Sequence, residues 1–67
     1  MRVNRKNLDL AMARACMTPA ALAAAAGMPR PTVNNVMGGK GVRPATMGRV
    51  ARALGVDVTE IIEQEAV

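Results

Sequence analysis

Apolar residues recur at three- and four-residue spacing along most of this chain, which is the pattern of helices that bury one face. Two segments with helix start and stop signals follow one another, Pro19–Ala26 and Arg30–Met37. Thr18 and the proline after it favour a helix start, because threonine caps exposed amides and a first-turn proline loses no hydrogen bond. Gly27 favours a helix end, because glycine takes the left-handed conformation without strain. The pattern predicts two short helices joined by a tight turn over about residues 18–37.

The same spacing predicts three further helices, so the expected fold class is all-α, a compact bundle of five short helices. The first helix is expected to start at a cap on Asn4 or Asn7 and to end near Cys16. The fourth is expected over roughly Ala45–Leu54, and the last helix would turn residues 61–62 inward. The acidic residues predicted for the outer face of that last helix are Glu60, Glu63 and Glu65.

Composition narrows the classes of protein that the chain can represent. Its 67 residues suffice for a single domain, and with no aromatic residue the core must consist of aliphatic side chains and methionine. Histidine is absent and Cys16 is the single cysteine, so we expect no metal site, no cofactor and no disulfide. Because Cys16 falls on the apolar stripe of the first helix, with Leu8, Met12 and Ala15, we interpret it as a small buried residue. No apolar run reaches the ~18 residues of a membrane span, which predicts a cytoplasmic protein without a membrane partner.

Charge is divided unevenly along the chain, whose formal net charge is +4. Residues 1–56 hold all nine bases against one acid, Asp9, which leaves +8, whereas residues 57–67 hold four acids and no base. A basic body attracts polyanions, and the acidic end is expected to be repelled from them. The first seven residues are polar, and we expect them to fray or form an arm. The basic residues of this expected arm are Arg2, Arg5 and Lys6.

The second segment of the central pair carries polar side chains that are poor candidates for a core. Val33, Val36 and Met37 fall on its inner face at helical spacing. The side chains left on the outer face are those of Arg30, Thr32, Asn34 and Asn35. These residues are suited to reading hydrogen-bonding groups on a binding partner.

From about Leu8 to Ile62, the chain resembles the lambda-repressor-like helix-turn-helix domains of phage repressors, Cro proteins and related bacterial regulators. The matching positions, in chain order, are Leu22-Ala23, Gly27, Val33, Val36, Gly39-Lys40, Arg43-Pro44, residues 51–56 and Ile61-Ile62. The resemblance implies one DNA-binding domain over residues 1–67, with the recognition helix at about residues 30–37. It also implies a sequence-specific transcriptional regulator, a repressor or Cro-like protein, that binds double-stranded DNA as a homodimer. Because the chain has no aromatic residue to anchor an interface, we expect that dimer to be weak without DNA.

The resemblance assigns roles to particular residues. Positions that read bases in the major groove fall on Arg30, Pro31 and Asn35. Positions at the edge of the groove or at DNA phosphates fall on Thr18, Ala20, Thr32, Asn34, Gly39, Lys40 and Arg43. Physical chemistry supports these assignments, because arginine bonds bidentately to guanine, asparagine does so to adenine, and helix amino ends favour phosphate. The bases of the expected arm would add attraction that is independent of sequence.

The sequence departs from the family pattern at several positions. Pro19 stands where the family often has a glutamine, and Gly38 stands where many members have an asparagine that contacts phosphate. Pro31 offers a base only apolar contact. Met12 and Met37 occupy the places of an arginine and a glutamate that commonly pair, and an apolar pair can replace a buried ion pair at little cost. We predict that Met12 and Met37 are in contact.

Two other functions compete with DNA binding. The first is an antitoxin-like module on the same fold, whose acidic last helix would bind a protein partner. The second is an enzyme, which the sequence disfavours because it has no histidine and its acids cluster on one predicted helix face. We therefore expect no catalytic residues.

Overall fold

Four α-helices and one 3₁₀ turn make up the computed structural model, which describes residues 1–63. The expectation of an all-α fold is confirmed, and three of the four helices begin and end within one residue of the predicted bounds. Among residues 1–63 the sole pairing of β type is an isolated bridge between Val3 and Ile62. The elements are α1 (Arg5–Ala15), α2 (Pro19–Ala26), α3 (Arg30–Met37), α4 (Pro44–Leu54) and the 3₁₀ turn Val58–Glu60.

The core is apolar throughout. It joins one face of every helix, and among the described residues no polar or charged side chain is buried. α2 packs against both α3 and α4, and its alanines permit that close approach because they carry a single methyl group. The buried residues are Val3, Leu8, Ala11, Met12, Leu22, Ala23, Val33, Val36, Met47, Val50, Ala51, Leu54 and Ile61. No single helix among residues 1–63 is long and apolar enough to cross a membrane.

The prediction of a fifth helix is wrong for the residues that the structure describes. The chain makes one 3₁₀ turn, Val58–Glu60, which a reciprocal capping box stabilises. The Asp57 carboxylate accepts from the amide and hydroxyl of Thr59 at 2.9 and 2.7 Å, and the Glu60 carboxylate accepts from the Asp57 amide at 3.0 Å. The bonds from Thr59 lower the pKa of Asp57 below its ordinary value. Glu65 lies outside the described residues.

Residues 1–4 form an extended strap rather than the expected arm. Val3 is 2% exposed and belongs to the core. The Asn4 amide donates to the Ile61 carbonyl at 2.6 Å, and the Glu63 amide donates to the Arg2 carbonyl at 2.9 Å. This pairing is the reason why the chain leaves helical geometry after the 3₁₀ turn.

The other two bases assigned to an arm, Arg5 and Lys6, lie in the first turn of α1. The Asn4 side chain caps that helix by accepting from the Asn7 amide at 3.1 Å. The other side of the strap is tied to the loop between α3 and α4, since the Val42 amide donates to the Met1 carbonyl at 2.7 Å. The strap therefore connects this loop with the end of the described chain.

Cys16 is exposed, which contradicts its interpretation as a buried residue. It lies one position beyond α1, in the left-handed conformation with φ 55°, and its amide donates to the Ala13 carbonyl at 3.1 Å. The left-handed conformation reverses the chain there and takes the side chain off the apolar stripe. Gly27 ends α2 with φ 66°, as predicted.

Candidate nucleic-acid interface

The amino end of α2 is exposed and has one open amide in its first turn. The Thr18 hydroxyl accepts from the Ala21 amide at 3.1 Å, and the Thr18 carbonyl accepts from the Leu22 amide at 2.9 Å. Pro19 has no N–H to donate, and the first-turn amide of Ala20 has no acceptor among the described residues. An open amide at a helix amino end carries partial positive charge and suits a phosphate. Thr18 and Ala20, the predicted phosphate contacts, are both exposed at this helix end.

α3 is anchored by two fully buried valines. Val33 and Val36 are each 0% exposed, and both lie on the face that packs against α2. Pro29 precedes the helix with ψ 150°, and its carbonyl accepts from the amides of Thr32 and Val33 at 3.1 and 3.2 Å. Burial of this face fixes the rotation of the helix, so its opposite face is held toward solvent in a defined orientation.

The three residues predicted to read bases lie on that exposed face. Arg30, Pro31 and Asn35 are all exposed, as is Asn34, whereas Thr32 is half-buried. Pro31 and Asn35 are four residues apart and are therefore neighbours on the helix surface, and the same holds for Arg30 and Asn34. Among residues 1–63, no other group bonds to the side chains of Arg30, Asn34 or Asn35. Their donors and acceptors are available to a partner.

The loop after α3 folds back against the end of that helix. The Gly39 amide donates to the Val36 carbonyl at 3.1 Å, and the Lys40 amide donates to the Asn35 carbonyl at 3.1 Å. Gly39 has φ 80°, a conformation that favours glycine at this turn. A shallow depression then joins α3, the loop and the first turn of α4. Its lining residues are Thr32, Asn35, Lys40, Gly41, Val42, Arg43 and Thr46.

The depression brings together a predicted base reader, Asn35, with the predicted phosphate contacts Lys40 and Arg43. Thr46 also lines this depression, although the sequence interpretation did not include it. It lies in the first turn of α4, three residues after Arg43, which stands at the N-cap position without a side-chain capping bond. The sequence does contain a signal for this position, because Pro44 marks a helix start directly after the loop with Lys40 and Arg43, and a residue in that first turn lies next to the loop.

Arg2 is the one base of the expected arm that lies next to this surface. It lines a second depression together with Met1, Gly41 and Glu63, and Gly41 belongs to both depressions. Arg5 and Lys6 are exposed on α1 but line neither depression. Of the bases in that predicted arm, the structure therefore brings Arg2 to the loop and leaves the other two on a helix.

The basic side chains around the loop are not neutralised by the rest of the described chain. Among residues 1–63, no carboxylate forms an ion pair with Arg2, Lys40 or Arg43. Within the same range, no group of three or more histidine, cysteine or acidic residues is placed to hold a metal ion. The surface can therefore attract anions, because no carboxylate bonded to these cations cancels their charge, although salt screens their field.

Met12 and Met37, the predicted substitute for an ion pair, both belong to the apolar interior. Met12 is 6% exposed, and Met37 is half-buried and packs against the same core. A direct contact between the two side chains stays a prediction.

Comparison with known protein families supports the DNA-binding fold. Residues 7–66 match the family model described as a Cro/C1-type HTH DNA-binding domain, which covers 60 of the 67 residues. No curated protein and no solved structure matches the chain.

Proposed function

The chain belongs to the Cro/C1-type HTH DNA-binding domains, and from that premise we propose that it is a sequence-specific transcriptional regulator of the repressor or Cro-like kind. The observation that carries the proposal is the exposed polar face of α3, which two fully buried valines hold in place beside a basic loop. The major groove of DNA admits a helix with such a face, and each base pair presents a distinct pattern of donors and acceptors there. The protein acts by binding, in the cytoplasm, without catalysis or a cofactor.

Base reading is assigned to Arg30, Pro31 and Asn35. The guanidinium of Arg30 pairs with the O6 and N7 atoms of guanine, and the amide of Asn35 pairs with the N6 and N7 atoms of adenine. Pro31 has no donor, so it contributes apolar contact to a thymine methyl group. Thr32 and Asn34 lie at the edges of this face. Sequence preference therefore rests on Arg30 and Asn35.

Phosphate contacts are assigned to the amino end of α2 and to the loop after α3. The Ala20 amide and the Thr18 hydroxyl serve one phosphate, and the Lys40–Arg43 loop serves another stretch of the backbone. Such contacts fix the position of the domain on DNA but carry no sequence information. Their contribution weakens with salt, because each neutralised phosphate releases counterions.

We place the regulator on DNA as a symmetric homodimer whose half-sites are about 34 Å apart, one turn of the double helix. The chain has no aromatic residue, and aromatic side chains are the usual anchors of protein interfaces. The dimer is therefore weak in the absence of DNA, and the two half-sites supply much of its stability.

Selection of bound sequences from a random duplex pool tests the proposal directly. We expect a palindromic motif whose half-sites each contain a guanine and an adenine within reach of one helix. Selection at two salt concentrations separates base reading from phosphate attraction, since only the latter falls steeply with salt. Recovery of random sequences at both concentrations would refute sequence-specific regulation.

A second candidate is an antitoxin-like module that binds a protein partner. The acidic helix expected to bind that partner is not formed in the described residues, but another surface favours such contact. Leu10 is 58% exposed and lines a depression between α1 and the 3₁₀ turn together with Arg14 and Glu60. Copurification of a protein that is lost with Leu10→Arg would support this function, and a wild-type chain that purifies alone would count against it.

A further inference from the structure

The acidic end of the chain begins next to the proposed DNA-binding surface rather than far from it. The Glu63 amide donates to the Arg2 carbonyl at 2.9 Å on one side of the strap. On the other side, the Val42 amide donates to the Met1 carbonyl at 2.7 Å. The strap therefore lies between Glu63 and the loop that carries Lys40 and Arg43.

The spacing of paired chains sets the scale of this proximity. Neighbouring extended chains lie about 4.8 Å apart, so two such steps bring the backbone of Glu63 to about 10 Å from that of Val42. An independent observation agrees, because Glu63 and Gly41 line the same depression together with Met1 and Arg2. A separation of ~10 Å is about one Debye length at 0.1 M salt, so the charge of Glu63 is felt at the loop when salt is low.

We propose that Glu63 is a negative determinant of DNA affinity. This inference rests on the proposed function, since it takes Lys40 and Arg43 as contacts to the DNA backbone. The carboxylate of Glu63 is exposed and forms no ion pair among the described residues. It repels the phosphates that approach the loop and so weakens binding to any duplex, whatever its sequence.

The strap gives this effect a fixed geometry. An acid on a freely moving segment could swing away from DNA and avoid the repulsion. The backbone of Glu63 is held in place, because its amide is bonded to Arg2 and because the residues before it, Ile61 and Ile62, are tied to the core and the strap. Its carboxylate therefore stays within the reach of one side chain from that position. The repulsion is therefore part of the bound state and lowers the affinity that Lys40 and Arg43 would otherwise give.

Removal of the charge without change of shape tests the proposal. Glu63→Gln is compared with Glu60→Gln, which changes net charge by the same amount three residues away. Glu60 is a suitable control for two reasons. Glutamine can replace glutamate in its capping box, and Glu60 lines the depression between α1 and the 3₁₀ turn, with Asn7 and Arg14, rather than the one beside the loop. Binding to the selected duplex and to an unrelated duplex is measured at about 50 and about 300 mM salt, and thermal unfolding is recorded for each protein.

We expect Glu63→Gln to tighten binding to both duplexes by roughly two- to fivefold at about 50 mM salt, with a smaller gain at about 300 mM. Glu60→Gln should leave affinity unchanged, and neither substitution should alter the melting temperature by more than a few degrees. Equal affinity of Glu63→Gln and wild type, or an equal gain in both variants, would overturn the role of Glu63 while leaving DNA binding intact. Failure of the wild type to bind any duplex at low salt would overturn the proposed function as well.

Discussion

Two side chains on α3, Arg30 and Asn35, carry the sequence preference in the proposed complex. We predict that Arg30→Ala and Asn35→Ala each weaken binding to the selected duplex by about 1–3 kcal/mol, because a bidentate contact to a base edge is worth that much discrimination. Each variant should also lose its preference at one base pair of the half-site. Quantitative binding to the selected duplex and to single-base variants of it provides the measurement.

Arg52→Ala supplies a matched control for charge, since Arg52 is exposed in the last turn of α4. It removes one positive charge, as Arg30→Ala does, but should leave the preferred sequence unchanged. If Arg30→Ala weakened the selected and unrelated duplexes equally, Arg30 would be a phosphate contact and not a base reader.

At the scale of single residues, the helical period predicted the buried positions of α3 but misplaced Cys16. Val33 and Val36 lie well inside a helix, where the period holds and burial follows from it. Cys16 lies one residue beyond α1, where the left-handed conformation breaks the period. No glycine marks that helix end, so the sequence has no local signal for the exposure of Cys16.

Two helices in this fold are followed by residues with nearly the same left-handed backbone conformation, but one residue carries a side chain and the other does not. α1 ends at Cys16 with φ 55°, and α2 ends at Gly27 with φ 66°. A side chain in the left-handed region costs roughly 1 kcal/mol, and glycine avoids that cost. We predict that Cys16→Gly raises the free energy of unfolding by about 0.5 kcal/mol, since the greater freedom of the unfolded chain offsets part of the gain. Urea unfolding of wild type and variant checks this value.

Gly27→Ala is the reciprocal experiment. A Cβ atom at Gly27 meets no atom within 4 Å, so the substitution tests conformation without a steric clash. We expect the free energy of unfolding to fall by about 1 kcal/mol. A loss of stability in both variants would show that the side chain of Cys16, and not its backbone conformation, matters at the end of α1.

The 3₁₀ turn should make the stability of the fold depend on pH in the acidic range. The pKa of Asp57 is lowered by its bonds from Thr59, so the ionised carboxylate is favoured in the folded state. Its contribution is complete above the pKa of the unfolded chain, near 4, and is lost as pH falls through the lower folded value. We predict that the difference in urea midpoint between wild type and Asp57→Asn narrows below about pH 4. A difference that stays constant down to pH 2 would contradict this linkage.

Helix boundaries could be predicted where a capping residue marked them, whereas the 3₁₀ turn at the end of the described chain could not. Thr18, Gly27 and Gly55 each lie at the position that their chemistry indicates. The prediction of a helix at the acidic end was wrong because the backbone of Glu63 is bonded to that of Arg2, a residue 61 positions earlier in the chain. Local sequence does not report such a pairing, and it overrides the helical spacing of the isoleucines before it.

At the scale of the whole molecule, backbone hydrogen bonds of the strap join the two ends of the described chain. Val3 is 2% exposed and contributes to the core, so Val3→Ala removes two buried carbon atoms. We predict a loss of about 1.5 kcal/mol in the free energy of unfolding, measured by urea titration. Leu10→Ala is the control, because Leu10 is 58% exposed and its truncation should change stability by no more than about 0.5 kcal/mol. Equal stability of Val3→Ala and wild type would contradict the role of the strap and restore the interpretation of residues 1–4 as a free arm.

The distribution of charge over the molecule predicts which bases set the salt dependence of DNA binding. Lys40 and Arg43 lie beside Asn35 in one depression, whereas Arg14 lies in another depression with Leu10. Lys40→Gln and Arg43→Gln should each reduce the slope of log K against log salt by about 1, because each loses one phosphate contact.

The preferred sequence should survive both substitutions, since phosphate contacts carry no sequence information. Arg14→Gln changes net charge equally and should leave the slope unaltered. If all three variants reduced the slope alike, the molecule would attract DNA through its net charge alone. An effect confined to Lys40 and Arg43 would locate the DNA backbone contact at the loop between α3 and α4, which is bonded to α3 on one side and to the strap on the other.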